Sequence, residues 1–139
     1  MNQNQIQPYL FFGGRCQEAL DFYKSAIGAQ VDFIMRYNES PEPPPPGRIP
    51  PGWENKIMHC TFHVGSSVLM ASDGCESGAK FEGFSLGLSA ESDAEAEKLF
   101  NALAEGGQVN MPLTKTFWAA KFGMLTDKFG VGWMVSAGH

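Results

Sequence analysis

Along most of the chain, apolar residues either alternate with polar ones or recur at helical spacing, and these two periods divide it into elements. Ile6 to Phe12 is a short apolar run closed by Gly13-Gly14, which predicts a strand ending in a turn. Cys16, Ala19, Leu20, Tyr23 and Ile27 then mark one helix face, and Gly28 stops that helix. Val31 to Tyr37 predicts a second strand. Lys56 to Val64 and Ser67 to Ser72 predict two more, joined by a tight turn at Gly65-Ser66. A second round begins with a strand from Phe84 to Ala90. Ser92, with Glu95 three residues on, forms a capping box that opens a helix whose apolar face is Ala96, Leu99, Phe100 and Leu103. Gly106-Gly107 ends it, and Val109 to Leu113, Trp118 to Thr126 and Val131 to Ser136 follow as strands.

The order strand-helix-strand-strand-strand therefore occurs twice, which points to an internal repeat. An offset of 78 residues places Leu10 on Leu88, Phe22 on Phe100, Ala26 on Ala104, Gly28 on Gly106, Gln30 on Gln108 and Val31 on Val109. These are strand-core, helix-core and helix-stop positions, the ones a duplicated module keeps. The expected fold is α+β: tandem βαβββ modules, one at about 5–73 and the other at about 83–137, within a single domain 1–139. The segment 41–52, Pro-Glu-Pro-Pro-Pro-Pro-Gly-Arg-Ile-Pro-Pro-Gly, interrupts the first module. Proline fixes φ and cannot donate to a ladder, so this is an extended loop, a spacer or a lid.

Composition narrows the class. With 43% hydrophobic and 18% charged residues, 139 residues suffice for a packed core without staples. The net charge of −5 and the lack of a Lys/Arg stripe argue against nucleic acid as a partner. Met1 to Gln5 is polar with no basic region ahead of an apolar run, so neither a signal peptide nor a membrane span is expected. Cys16, Cys60 and Cys75 are an odd number without CxxC spacing, which reads as reduced thiols in a cytoplasmic protein.

Several stretches resemble the vicinal-oxygen-chelate (glyoxalase and bleomycin-resistance) superfamily, and within it the PhnB-like branch. They are Pro8-Tyr9-Leu10-Phe11-Phe12-Gly13-Gly14, Ala19 to Lys24, Met58-His59-Cys60, Val68 to Asp73, Thr116-Phe117-Trp118 and Thr126 to Met134. The resemblance covers nearly the whole chain outside the proline loop and the two tails. It implies two modules whose mixed sheets curve around a small-molecule cavity, with helices on the outer face, and commonly a homodimer. Superfamily members include glyoxalases, ring-cleaving dioxygenases, epimerases, fosfomycin-modifying enzymes and metal-free drug-sequestering proteins, so the site must choose among them.

Metal-using relatives place one His, Glu or Gln ligand on the first and last strand of each module. Carried onto this sequence, those positions are Gln7, Met70, Ser85 and Met134. An amide, a hydroxyl and two soft thioethers do not make a site for zinc, nickel or manganese, so no metal and no other cofactor is expected. His59 and His63 share a strand face about 13 Å apart, too far to hold one ion, and His139 is terminal. There is no Gly-x-Ser-x-Gly elbow. Cys60 reads as a small buried hydrophobe, and Cys75 has acidic neighbours that blunt a thiol.

Alternation assigns the faces. Leu10 and Phe12, like Leu88 and Ala90, are expected against the helices, which turns Gln7, Tyr9 and Phe11 to the other face. Ser85, Gly87 and Ser89, and Gly132, Met134 and Ser136, share that orientation, and small residues there leave space for a ligand. Phe117, Trp118 and Lys121 add rings and a cation. Arg36, Asp73 and Asp127 are further charged candidates, Asp127 being better placed to open the Asp-Lys-Phe-Gly turn. The favoured reading is a small-molecule-binding protein whose ligand contacts are Gln7, Tyr9, Phe11, Met70, Ser85, Phe117, Trp118 and Met134. Two alternatives stand beside it. One is an enzyme using His59, Lys121 or Asp73 as acid or base, or a lyase or dioxygenase if a metal is found; the other is an antibiotic-sequestering protein. Some PhnB-like relatives are labelled ubiquinone-related methyltransferases, but the sequence has no Gly-rich loop for a methyl-donor nucleotide.

Overall fold

A computed structural model describes residues 4–42, 45, 47–74, 76–78 and 80–137. Cys75 and His139 lie outside the described residues, as do three prolines of the loop. The chain divides into two compact units, Met1–Ala79 and Lys80–His139.

The first unit contains β1 (Tyr9–Phe11), α1 (Cys16–Ile27), β2 (Gln30–Arg36), β3 (Ile57–Val64) and β4 (Ser67–Ser72), with a short 3₁₀ turn at Tyr37–Glu39. The second contains β5 (Leu86–Ala90), α2 (Asp93–Ala104), β6 (Gln108–Thr114), β7 (Lys121–Thr126) and β8 (Gly132–Ala137). Each unit forms one four-stranded mixed sheet. The strand orders are β1-β4-β3-β2 and β5-β8-β7-β6, with a parallel first pair and antiparallel pairs beyond it. The predicted repeat is thus a repeat of topology. Gln30 and Gln108 open equivalent strands; Gly28 caps α1 in the left-handed region at φ 72°, and Gly106, at φ 76°, follows the extended α2 cap Glu105. Tyr9 pairs with Met70 in one unit as Gly87 pairs with Met134 in the other.

Several strands are shorter than their apolar runs. Pro8 accepts a bond from Met70 but has no N–H to return, so β1 begins at Tyr9. Thr116 to Ala119 closes a turn through Thr116 N–H to Ala119 O and Ala119 N–H to Thr116 Oγ1. This leaves Trp118 in a loop ahead of β7.

The helices follow their apolar faces. All five residues read as the α1 face are buried, and on α2 Ala96, Phe100 and Leu103 are buried with Leu99 half-covered. Tyr23 stacks on Phe62 at 6.3 Å and lies 6.2 Å from Phe12, which seats α1 on one face of its sheet. Ser92 caps α2 by accepting from Glu95 N–H, while the Glu95 carboxylate reaches back to Glu91 N–H, one residue beyond the expected capping box.

Candidate functional site

Each sheet has a face turned to its helix and an open face. In the first unit Leu10, Phe12, Cys60, Phe62, Leu69 and Ala71 are buried on the helix side. The register then sets a row across the open face, Tyr9–Met70–Thr61–Phe33, with Phe11, Ser72 and the His59–Met35 pair alongside. Here large apolar groups stay accessible: Tyr9 is 37% exposed, Phe11 56% and Phe33 46%. At the centre the Tyr9 hydroxyl lies 3.1 Å from His59 Nδ1. The Tyr9 ring is 4.9 Å from that of Phe11 and 5.7 Å from the imidazole, and Phe33 is 6.2 Å from the imidazole on the other side. Two rings, those of Tyr9 and Phe33, flank one half-buried imidazole whose Nε2 has no hydrogen bond among the described residues.

Farther along the same face His63 Nδ1 is 2.9 Å from both carboxylate oxygens of Asp32. Asp32 is the extra residue of a β-bulge between Val31 and Phe33. That bulge puts Val31 opposite Phe62 on one face and Phe33 opposite Thr61 on the other. Strict alternation would set Val31 and Phe33 on the same side, and for this reason Phe33 and Met35 escape a sequence reading of the face.

The open face of the second unit has different chemistry. Its central row is Gly87–Met134–Met124–Met111, flanked by Ser89 and Ser136, with Phe122 beneath the Trp118 ring at 5.3 Å. Gly132, Met134 and Ser136 are half-exposed between buried Trp133, Val135 and Ala137, the alternation expected from the sequence. Phe117 is 97% exposed and packs edge-on against Trp118. Ser85 is exposed just ahead of β5 and lies close to Gly132. Lys121 pairs with Ala137 on the helix side, where its ammonium is 3.6 Å from Glu97 on α2; it does not reach the open face.

Gln7 is half-buried ahead of β1, and its side-chain amide bonds Gln5. Gln7 and Met70 lie in the first unit and Ser85 and Met134 in the second; an amide, a hydroxyl and two thioethers are in any case not donors that suit a hard or borderline divalent cation. Among the described residues no three His, Cys, Asp or Glu side chains group as metal ligands.

Two acidic candidates are occupied with structure. Asp73 is 1% exposed. Its Oδ1 accepts from Gly14 N–H at 2.9 Å and Cys16 N–H at 2.8 Å, and its Oδ2 from Ile57 N–H at 2.8 Å. It thereby caps α1 from the far end of β4, where Arg15 supplies no side-chain cap. Asp127 is 3% exposed and accepts from Phe129 N–H, Val131 N–H and Trp133 Nε1–H, which makes it the organiser of the turn before β8. Arg36 donates to Asn55 O and Gln17 Oε1. Behind the first sheet the buried Cys16 and Cys60 sulfurs lie 3.9 Å apart. That contact, with burial, pushes the Cys16 thiol far up, and the same contact draws Cys60 down against its own desolvation.

Residues 4–136 match the family model described as 3-demethylubiquinone-9 3-methyltransferase. The Escherichia coli (strain K12) protein YjdN is 34% identical over 137 residues, covering 94% of this chain and 93% of its own. Among solved structures, protein PA1353 of Pseudomonas aeruginosa is 48% identical with a TM-score of 0.84, covering 98% of each chain. A Bacillus cereus structure described as a putative 3-demethylubiquinone-9 3-methyltransferase, PhnB protein, is 30% identical with a TM-score of 0.79, covering 96% of this chain and 99% of that one. The fosfomycin resistance protein FosX of Mesorhizobium loti has a TM-score of 0.66 at 9% identity, over 100% of this chain and 94% of that one, a likeness of fold alone.

The family description implies a methyl-donor nucleotide, which needs free backbone N–H groups at a strand-to-helix turn. At the β1–α1 turn Gly14 and Cys16 N–H are already given to Asp73, and Trp53 lies against Gly14. At the β5–α2 turn Ser92 caps the helix and Glu91, Asp93 and Glu95 surround its start, which repels the carboxylate of a methyl donor. Neither turn fits such a nucleotide.

Proposed function

The chain belongs to the PhnB-like family, described as 3-demethylubiquinone-9 3-methyltransferase, and on that footing we propose that it binds a ring-bearing, partly apolar small molecule on the open face of the first sheet. One observation carries this reading: Tyr9 and Phe33 stand exposed beside His59, with Phe11 next to Tyr9, on the sheet face opposite the one that packs on α1. Strand faces that bear large rings are normally covered, and rings left accessible beside one polar group are the usual make-up of a ligand site. The thioether row of the second unit, taken by itself, is a surface of the same adaptable kind. Methionine adapts to irregular ligands, and Gly87 and Ser89 leave room beside it.

An acid–base reading finds one usable group. Asp73 is committed to three backbone donors and Lys121 faces Glu97, which leaves His59, where a binding role and a proton-transfer role overlap. The test is a thermal-shift screen with ring compounds, in which a ligand at 100 times its Kd adds about 2.7 kcal/mol. Compounds that raise the melting temperature should bind about tenfold more weakly to Phe11→Ala and Phe33→Ala. These residues are exposed, so the fold should tolerate both changes. If no ring compound stabilises the protein, or if neither variant weakens a compound that does, the reading fails. Turnover of such a compound that is abolished in His59→Gln would replace binding by catalysis.

A further inference from the structure

The Tyr9–His59 pair has more to say about the ligand, given that the first open face binds one. A neutral imidazole and a phenol share two exchangeable hydrogens. One is spent on the 3.1 Å bond between them. If Tyr9 donates, the other hydrogen sits on His59 Nε2; if Nδ1 donates, it sits on the Tyr9 oxygen. In either tautomer the pair presents one hydrogen-bond donor to the open face, and a protonated imidazole presents two donors and a positive charge.

The surroundings decide which charge is welcome. β4 brings Val68, Met70 and Ser72 to this face, and β2 brings Phe33 and Met35, none of them charged. β1 brings only Tyr9 and Phe11. The carboxylate of Asp32 is already bonded to His63. Asp73 lies buried with three N–H partners, and Arg36 is engaged by Asn55 and Gln17. Among the residues that the strand register places on this face, the one carboxylate, Asp32, is bonded to His63, whereas an anionic oxygen meets a hydrogen-bond donor of the Tyr9–His59 pair. Charge-assisted hydrogen bonds are the stronger kind.

We infer that Tyr9 and His59 form a specificity element selecting planar ring compounds that carry an oxyanion, an aromatic carboxylate or phenolate. The ring lies against Phe33 and the Tyr9 ring, which flank the imidazole, and the oxygen sits at His59 Nε2 and the Tyr9 hydroxyl. This rests on the binding reading above and goes beyond it by naming the ligand's chemistry.

The experiment is calorimetric titration of the full chain with three probes of one shape: 2-naphthoate, 2-naphthamide and 2-naphthylmethylammonium. The carboxylate should bind about tenfold more tightly than the amide and more tightly still than the ammonium. His59→Phe and Tyr9→Phe should bring the carboxylate within about twofold to threefold of the amide. His59→Gln keeps a neutral donor and should fall between, which guards against a folding defect in the phenylalanine variant. Equal affinity for the three probes, or a carboxylate preference that survives His59→Phe, overturns the inference while leaving the binding reading intact. Binding of none of the three overturns both.

Discussion

Removing the carboxylate of Asp73 should loosen the corner where the end of β4, the start of α1 and the start of β3 meet. Three backbone N–H groups bond to its two oxygens, and two of those bonds are buried. Asp73→Ala leaves them unpaired, and each such donor costs about 1–3 kcal/mol, so denaturant unfolding should show a loss of about 3 kcal/mol or more. Asp127→Ala should lose a similar amount and also shift Trp133 fluorescence, since the indole N–H loses its buried acceptor. The thiols make a second prediction at this scale. Cys16 and Cys60 are both 0% exposed, and their mutual contact holds Cys16 protonated. Ellman's reagent should therefore find both unreactive in the native protein and all three cysteines reactive in guanidinium; rapid labelling of either in the native state would contradict the packing. That both aspartates serve the backbone was half legible beforehand. The Asp127 turn has a local signature, Asp-Lys-Phe-Gly, whereas Asp73 joins residues far apart in sequence, which no local pattern reveals.

The helices and the repeat were legible element by element, because burial on one side leaves a periodic trace. Strand ends were less so: apolar runs continue past Tyr9 and ahead of Lys121 for reasons of packing, while the ladder ends where a proline or a turn withdraws its N–H groups. For the open faces, the Tyr9–Phe11 side followed from alternation, and Phe33 and Met35 did not, since the bulge at Asp32 shifts the count by one. Two glycines show that similar-looking stops rest on different physics. Gly28 has φ 72° and open space where a Cβ would stand, so Gly28→Ala should cost about 1 kcal/mol through backbone strain alone. A Cβ on Gly107 would stand 2.2 Å from the Thr126 carbonyl oxygen, so Gly107→Ala must push β6 from β7 and should cost about 3 kcal/mol or more. Equal losses in the two variants, measured by urea unfolding, would contradict this account.

At the scale of the whole chain the two units share one wiring, in which the first strand of each pairs with the last. The β3–β4 hairpin closes through a two-residue turn at Gly65-Ser66, while the β1–β4 pairing must bring Tyr9 to Met70. Loop-closure entropy favours the near contact first. Stopped-flow kinetics should accordingly show Phe62→Ala slowing refolding, whereas Leu10→Ala, on β1, mainly speeds unfolding. The same wiring has a consequence inside the cell. As the protein emerges from the ribosome, Tyr-Leu-Phe-Phe appears early, yet the strand that will shelter it is made only after the helix, the proline loop and the hairpin have all been synthesised. For that interval the nascent chain trails a sticky apolar ribbon, the kind of segment that chaperones shield.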